Sequence, residues 1–310
     1  MLMRYFSRVP GVPETLGPVA HRIAGVKMLP EGVRAAIGDA CATHLALPGF
    51  VRSFKVRIAG AEITMAARPW VSLVSVAYYR GLDAFEPRTV ALFAALAQHA
   101  GVIVDVGANA GIFALLAARL RPEARILAFE PHPLVAMSLA KSVALSGARG
   151  IEVFPTALGA ETAYTQLFTS ISDALTSLDA ARVENSVAIT VPMTTLDAMT
   201  TERGVSGVDL VKVDVEGWEL PVFQGATATF ARDRPVVIFE ALADAPAAAI
   251  DEFFARLDYQ ILVIAPGNLQ KVALASPMGA GAAPERNFIA VPVERLTRVL
   301  GIATTALAGW

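Results

Sequence analysis

Asp105, Gly107, Ala108, Asn109 and Gly111 form one compact group, Glu130 follows nineteen residues after Gly111, and Asp214, Glu216 and Glu240 come much later. The first two parts have the residue types and spacing of a nucleoside-binding turn. Gly107 and Gly111 let the backbone approach a ligand that any Cβ would obstruct, and the helix that follows offers unpaired N–H groups at its start. A carboxylate at Glu130, at the tip of the next strand, can accept hydrogen bonds from both hydroxyls of a ribose. Pro131 and His132 come directly after it. The late carboxylates suit a different task, the removal of a proton from a hydroxyl as it attacks.

These residues need a scaffold that brings strand ends together. From about residue 100 the chain alternates short apolar runs with helical patterns. Strands are expected over residues 102–106, 125–130, 151–156, 208–213, 236–239, 259–264 and 287–291, and helices over 112–120, 134–145, 218–231 and 247–257. Seven strands interleaved with helices imply an α/β fold, a doubly wound, mostly parallel Rossmann-like sheet. Asp214 would end the fourth core strand and Glu240 the fifth, so both would point into the crevice where such sheets bind ligands. The interval of about 159–208 carries extra strand patterns at residues 164–168 and 187–191, and reads as a small β insertion able to form a substrate lid.

Residues 1–85 read as an extension of helix and hairpin. A helix is expected over 32–45, and Phe54–Ile58 and Ile63–Met65 alternate around Gly60-Ala61 as a β-hairpin. Phe85-Glu86-Pro87 opens the next helix, with proline suited to its first turn. The expected organisation is thus an extension over 1–85, the sheet domain over 86–294, and a C-terminal tail over 295–310 folded onto that domain.

Composition narrows the function classes. The 310 residues are 55% hydrophobic and 17% charged, enough for one substantial core. A net charge of −2 with scattered Lys and Arg argues against nucleic acid as a partner. Cys41 is the single cysteine, which rules out an internal disulfide and suggests a reducing compartment; its apolar surroundings suit a buried, inert thiol. The first ten residues lack the apolar core of a secretory signal, and no charge-free run approaches a membrane span. A cytoplasmic protein is expected. The four histidines, His21, His44, His99 and His132, are dispersed without zinc-ligand spacing.

Which nucleoside binds depends on the rest of the chain. A nicotinamide dehydrogenase places three glycines as G-x-G-x-x-G, whereas this turn reads Asp105-x-Gly107-x-Asn109-x-Gly111. Downstream come Thr195-Leu196-Asp197, then Lys212-Val213-Asp214-Val215-Glu216-Gly217-Trp218-Glu219, then Phe223-Gln224-Gly225-Ala226 and Pro235 through Glu240. In this order, and with Phe129-Glu130-Pro131-His132-Pro133, they resemble the FkbM-type family of S-adenosylmethionine-dependent methyltransferases over roughly residues 86–292. The resemblance implies S-adenosylmethionine as cofactor and O-methylation of a hydroxyl on a small molecule, natural product or glycan. It also implies that Asp105 faces the amino group of a methionine moiety, and that Ser177 and Glu86 lie near the site. Where the family carries asparagines in the helix after the second strand, this chain has Ser142 and Ser146.

The residue roles follow from the chemistry. Asp214 is expected to be base or substrate anchor, with Glu216 and Glu240 beside it. Glu219 is expected to cap the helix near Trp218, where a negative side chain suits the dipole. Lys212, inside an apolar strand, is expected to pair with a neighbouring carboxylate, because a buried lysine without one would lose its proton. His132 can border the ribose or adenine, or simply serve as a turn residue. No metal is expected; the alternative is Mg²⁺ held by Asp214 and Glu240. Two other readings remain open at this point, an NAD-dependent oxidoreductase and a non-catalytic nucleoside-binding protein of the same fold.

Overall fold

A computed structural model describes residues 47, 51–68, 72–169, 176–178, 187–242, 244–275 and 287–309. The helix expected over 32–45, with Cys41, His21 and His44, lies outside the described residues.

The strands of the main sheet are β3 (Val102–Val106), β4 (Arg125–Phe129), β5 (Ile151–Phe154), β10 (Leu210–Val213), β11 (Val236–Glu240), β12 (Tyr259–Ala265), β13 (Asn268–Lys271) and β14 (Asn287–Pro292). Their order is β13-β12-β14-β11-β10-β3-β4-β5. Strands β5 to β11 pair in parallel, while β14 runs antiparallel to both β11 and β12. This is the doubly wound α/β architecture expected, with one correction: the sheet has eight strands rather than seven. The added strand β13 returns along β12 through Pro266-Gly267, with Gly267 at φ 75°, so a tight turn makes an edge hairpin. The chain leaves β3 towards β4 and β5 on one side, then re-enters at β10 on the other. Ligand crevices form at such a reversal, outside the carboxyl ends of the strands.

Alternation along the strands sends their side chains into two separate cores. Ile103, Ile126, Leu210, Ile238 and Ile289 pack on one face; Val104, Leu127, Val211, Val237 and Phe239 pack on the other. The first face is covered by α2 (Pro87–Ala97) and α3 (Ile112–Leu120), which contact each other. Phe223, Phe230 and Phe254, all fully buried, fill the second face against Phe239.

A second correction concerns the helix expected over 218–231. It is two short helices, α6 (Glu219–Gln224) and α7 (Thr227–Asp233). The break comes at Gly225, where an added Cβ would lie 1.9 Å from the Gly159 carbonyl oxygen and where the Gly225 carbonyl accepts from Asp197 N. The Asp197 carboxylate then accepts from Ala228 and Thr229 N at the start of α7.

The interval after Gly159 leaves the main sheet. It supplies β7 (Ala163–Thr169), β8 (Thr176–Ser177) and β9 (Val187–Thr194), which join β6 (Ala157–Leu158) in a four-stranded sheet ordered β6-β9-β7-β8. Nearer the amino end, β1 (Ser53–Ile58) and β2 (Ala61–Ala66) form a hairpin. Its turn is Ala59-Gly60, both with positive φ, one residue earlier than expected. The hairpin packs on α4 (Pro133–Ser146) through β2. Ser142, 1% exposed, joins the two: its Oγ accepts from Ala66 N at 2.9 Å and donates to the Ser138 carbonyl. The segment read as a C-terminal tail contains a helix, α9 (Leu296–Leu307), packed on α2. Among the described residues no helix is long and apolar enough to cross a membrane.

Candidate functional site

A cavity of about 330 Å³ opens at the carboxyl ends of β3, β4, β10 and β11. The turn after β3 forms one side of it. Gly107 and Ala108 N–H both donate to the Phe129 carbonyl at 2.9 Å, which folds the turn over the end of β4. Gly107, Ala108 and Asn109 line the cavity; Gly111 does not.

The two glycines are needed for a reason other than ligand approach. A Cβ on Gly107, at φ 74°, would lie 1.8 Å from the Asp214 carbonyl oxygen. One on Gly111, at φ 86°, would lie 2.1 Å from Leu139 Cδ1. Both positions are thus held open by the protein's own packing: Gly107 lets the turn press on the end of β10, and Gly111 lets α3 start against α4.

Glu130 closes this side. It is 5% exposed, and its two oxygens each accept one backbone N–H, from Asn109 at 2.8 Å and from His132 at 2.8 Å. An ionised carboxylate has about four lone-pair sites, so each oxygen keeps capacity for one more donor. Burial pushes the carboxyl up to about 7 against the pull of those two N–H groups. Pro131 lines the cavity beside it. The His132 ring is buried outside the lining, with Nδ1 lacking a partner and its pKa lowered by burial; the residue acts on the site through its backbone.

Asp105 is also absent from the lining. Only 2% exposed, it accepts from Ala114 N at 3.0 Å and satisfies a first-turn N–H of α3. Burial pushes it up to about 7, while Lys212 and the Ala114 bond pull the other way.

The opposite wall carries Glu86, Asp214, Glu216 and Glu240. Strand parity puts Asp105, Lys212, Asp214 and Glu240 on the same sheet face, because Lys212 pairs in register with Asp105 and Ile238. Lys212 is fully buried, with Nζ 3.3 Å from Asp214 Oδ2 and 5.2 Å from the centre of the Phe113 ring. Burial by itself would lower its pKa, but Asp214, Glu86, Glu240 and Asp105 together raise it, so the ammonium keeps its charge. Glu240 is pushed up to about 8, by burial first and then by the Asp214 charge. Glu86 accepts from Asn287 Nδ2 at 3.3 Å, which connects the start of α2 to β14. Glu219 accepts from Gly217 N at 3.0 Å and caps the turn before α6.

Three lining residues, Glu86 at φ 37°, Asn109 at 48° and Glu216 at 52°, hold left-handed backbone conformations without being glycine. Such strain persists where the surroundings over-determine it, and it clusters at functional sites. Ser177 donates to the Glu216 carbonyl at 3.0 Å, so the inserted sheet is bonded directly to this wall. Leu73 and Val76 from α1 (Ser72–Arg80), with Phe85, Phe113, Leu158 and Leu167, complete an apolar part of the lining that sequence reasoning missed. No local signal marks Leu73 or Val76, since only the tertiary fold brings α1 to the site. Among the described residues no group of three or more His, Cys, Asp or Glu is arranged to hold a metal ion.

Comparison with known proteins gives this geometry a family. Residues 105–261, half of the chain, match the methyltransferase FkbM domain. The chain is 31% identical to Methyltransferase sdnD of Sordaria araneosa over 153 residues, covering 40% of this chain and 59% of that one. It is 30% identical to the 2-O-methyltransferase NoeI of Sinorhizobium fredii over 146 residues, covering 43% and 60%. The matches thus span about three fifths of the length of these relatives. A crystal structure of a methyltransferase FkbM from Methylobacillus flagellatus KT superposes with a TM-score of 0.42 at 16% identity, over 62% of this chain and 43% of that one. The matched segment runs from Asp105 through the Glu130, Asp214 and Glu240 strand ends, and the chain belongs to the FkbM methyltransferase family.

Proposed function

We propose that the protein is an S-adenosylmethionine-dependent O-methyltransferase acting on a hydroxyl of a small molecule or glycan. The observation that carries this reading is one cavity lined by the buried carboxylate Glu130 on one side and by the carboxylates Asp214 and Glu240 on the other, a pair suited to hold a ribose diol and to take a hydroxyl proton. The printed activity of the 2-O-methyltransferase relative supports oxygen as the methyl acceptor.

The residues present fit the cofactor. Glu130 has spare lone pairs for two ribose hydroxyls, while Gly107, Ala108 and Asn109 present backbone beside it. Asp105 contributes by fixing the start of α3 rather than by touching the ligand. When bound, S-adenosylmethionine supplies a methyl group on a sulfonium, and the electron pair of the broken carbon–sulfur bond stays on sulfur. The chain's own task is to hold the acceptor oxygen in line and take its proton as the new oxygen–carbon bond forms. Holding two reactants in attack geometry is worth on the order of 7–11 kcal/mol. A positioned base adds about 10²–10⁴-fold. The apolar lining from Leu73, Val76, Phe85 and Leu167 excludes water, which strengthens the electrostatics inside.

Calorimetry with S-adenosylmethionine and with NAD tests the cofactor. Binding of the former alone is expected, weakened about tenfold or more in Glu130→Gln through loss of a charge-assisted hydrogen bond. Incubation with an isotopically labelled methyl donor and fractionated metabolites, with products identified by mass, tests the reaction. Binding of NAD alone, or cofactor binding with no labelled product from any fraction, would count against the proposal.

A further inference from the structure

Asp214 and Glu240 stand at adjacent strand tips, yet their surroundings differ. The Oδ2 atom of Asp214 is committed to Lys212, whose ammonium is fully buried and does not reach the cavity. The Glu240 carboxyl lines the same cavity and has no hydrogen-bond partner among the described residues. Glu240 is also held in place by its backbone, which pairs with Asn287 of β14. The charged and polar groups facing this pair come from every neighbouring element: Asp105 from β3, Lys212 from β10, Glu216 from the loop beyond it, Glu86 before α2, and Asn287 from β14.

Resting on the methyltransferase reading, we propose that Glu240 takes the acceptor's hydroxyl proton, and that Lys212 is a positioning residue which pins Asp214 as a fixed neighbouring charge rather than as the base. In the transfer step the acceptor oxygen forms its bond to the methyl carbon, the carbon–sulfur bond breaks with its pair retained on sulfur, and the hydroxyl proton passes to the Glu240 carboxylate. Asp214 keeps its contact with Lys212 throughout.

The geometry agrees with the electrostatics. A base works best when its pKa lies near the working pH, and burial with the Asp214 charge pushes Glu240 up to about 8. Lys212 pulls Glu240 in the opposite direction. The two neighbours therefore give variants of opposite sign. Removing the Asp214 charge lowers the Glu240 midpoint, and removing the Lys212 charge raises it. A lysine that only filled space would leave the second shift absent.

The test follows the glutamate carboxyl carbons of selectively ¹³C-labelled cofactor-free protein from pH 4 to 10, with the Glu240 resonance identified by its loss in Glu240→Gln. The wild-type midpoint is expected near 8, lower by about one unit in Asp214→Asn and higher in Lys212→Met. Should Lys212→Met not fold, Lys212→Arg keeps the charge, and its midpoint is expected to stay with the wild type. A wild-type midpoint in the ordinary carboxylate range, or one unmoved in Asp214→Asn, overturns the proposal. Because the titration needs neither cofactor nor acceptor, its failure is separate from a failure to bind S-adenosylmethionine. Once an acceptor is known, the acid limb of the rate profile should shift with the same signs.

Discussion

Replacing Glu130 with glutamine keeps the side chain's size and removes one buried titration. In the folded protein burial holds this carboxyl up near 7, against an ordinary value of 4.5. Between those two values the folded state carries a proton that the unfolded state has lost. Stability must then fall as pH rises, by about 1.4 kcal/mol per pH unit and by about 3 kcal/mol over the whole window. Asp105 adds a slope of the same sign, and His132, whose pKa is lowered by burial, adds one of the opposite sign below its ordinary value of 6.5. Both residues are present in wild type and variant, so the difference between the two isolates Glu130. Urea unfolding of each at intervals from pH 5 to 8.5 measures it. Glu130→Gln should lose some stability at low pH, because its amide cannot accept from both Asn109 and His132 N–H, and should gain relative to wild type by about 3 kcal/mol on going to pH 8. Parallel stability curves would refute the reasoning, since they would mean that the carboxyl pays no penalty for its burial.

Two further outcomes are expected. Gly107→Ala and Gly60→Ala impose the same φ of 74°, but the new Cβ meets the Asp214 carbonyl in the first and open space in the second. Urea melts should give a loss of about 1–2 kcal/mol for Gly60→Ala and about 2–5 kcal/mol for Gly107→Ala, with cofactor affinity falling only in the latter; equal losses would mean that the turn does not press on β10. Ser142→Ala leaves the Ala66 N–H without its acceptor, at a cost of about 1–3 kcal/mol. Hydrogen exchange should then speed up at Ala66 in the hairpin while β10 and β11 keep their protection, and unchanged exchange at Ala66 would show that the serine does not hold it.

Much of the fold is legible because the apolar runs and their punctuation agree. Val102–Val106, Leu210–Val213 and Val236–Glu240 are buried on both faces, which makes them easy to recognise as central strands and gives no hint of which residue faces which core. The edge strand β13 was missed although Pro266-Gly267 is a strong turn signal; the polar Asn268–Lys271 after it lacks the apolar character of a core strand. The broken helix at Gly225 carried a signal too, an isolated glycine in a helical pattern. Its cause, contact with Gly159 some sixty-six residues earlier, is purely tertiary. At the site, the glycine turn was readable but its steric reason was not. The demand on Gly107 comes from the Asp214 carbonyl, a group distant in sequence. Lys212 was readable as half of an ion pair, because a lysine in an apolar strand needs a counter-charge. That Asp214 is its partner follows from two residues of one strand sharing a face.

The sheet also works as an electrical partition. Asp105, Glu130, Lys212, Asp214 and Glu240 all occupy the parity of Ile103, Ile126, Leu210 and Ile238, whereas the opposite surface is a lattice of phenyl rings around Phe223. The titratable groups and the phenyl cluster thus lie on different sides of one layer, although Val106, Phe129 and Leu158 of the phenyl-side core also reach the cavity lining. Substitutions among the rings should change how firmly the strand tips are held without altering the field they experience. Their effects should add to those of changes on the charged side wherever the two share no contact. Such a separation lets the two sides be altered independently wherever they share no lining residue.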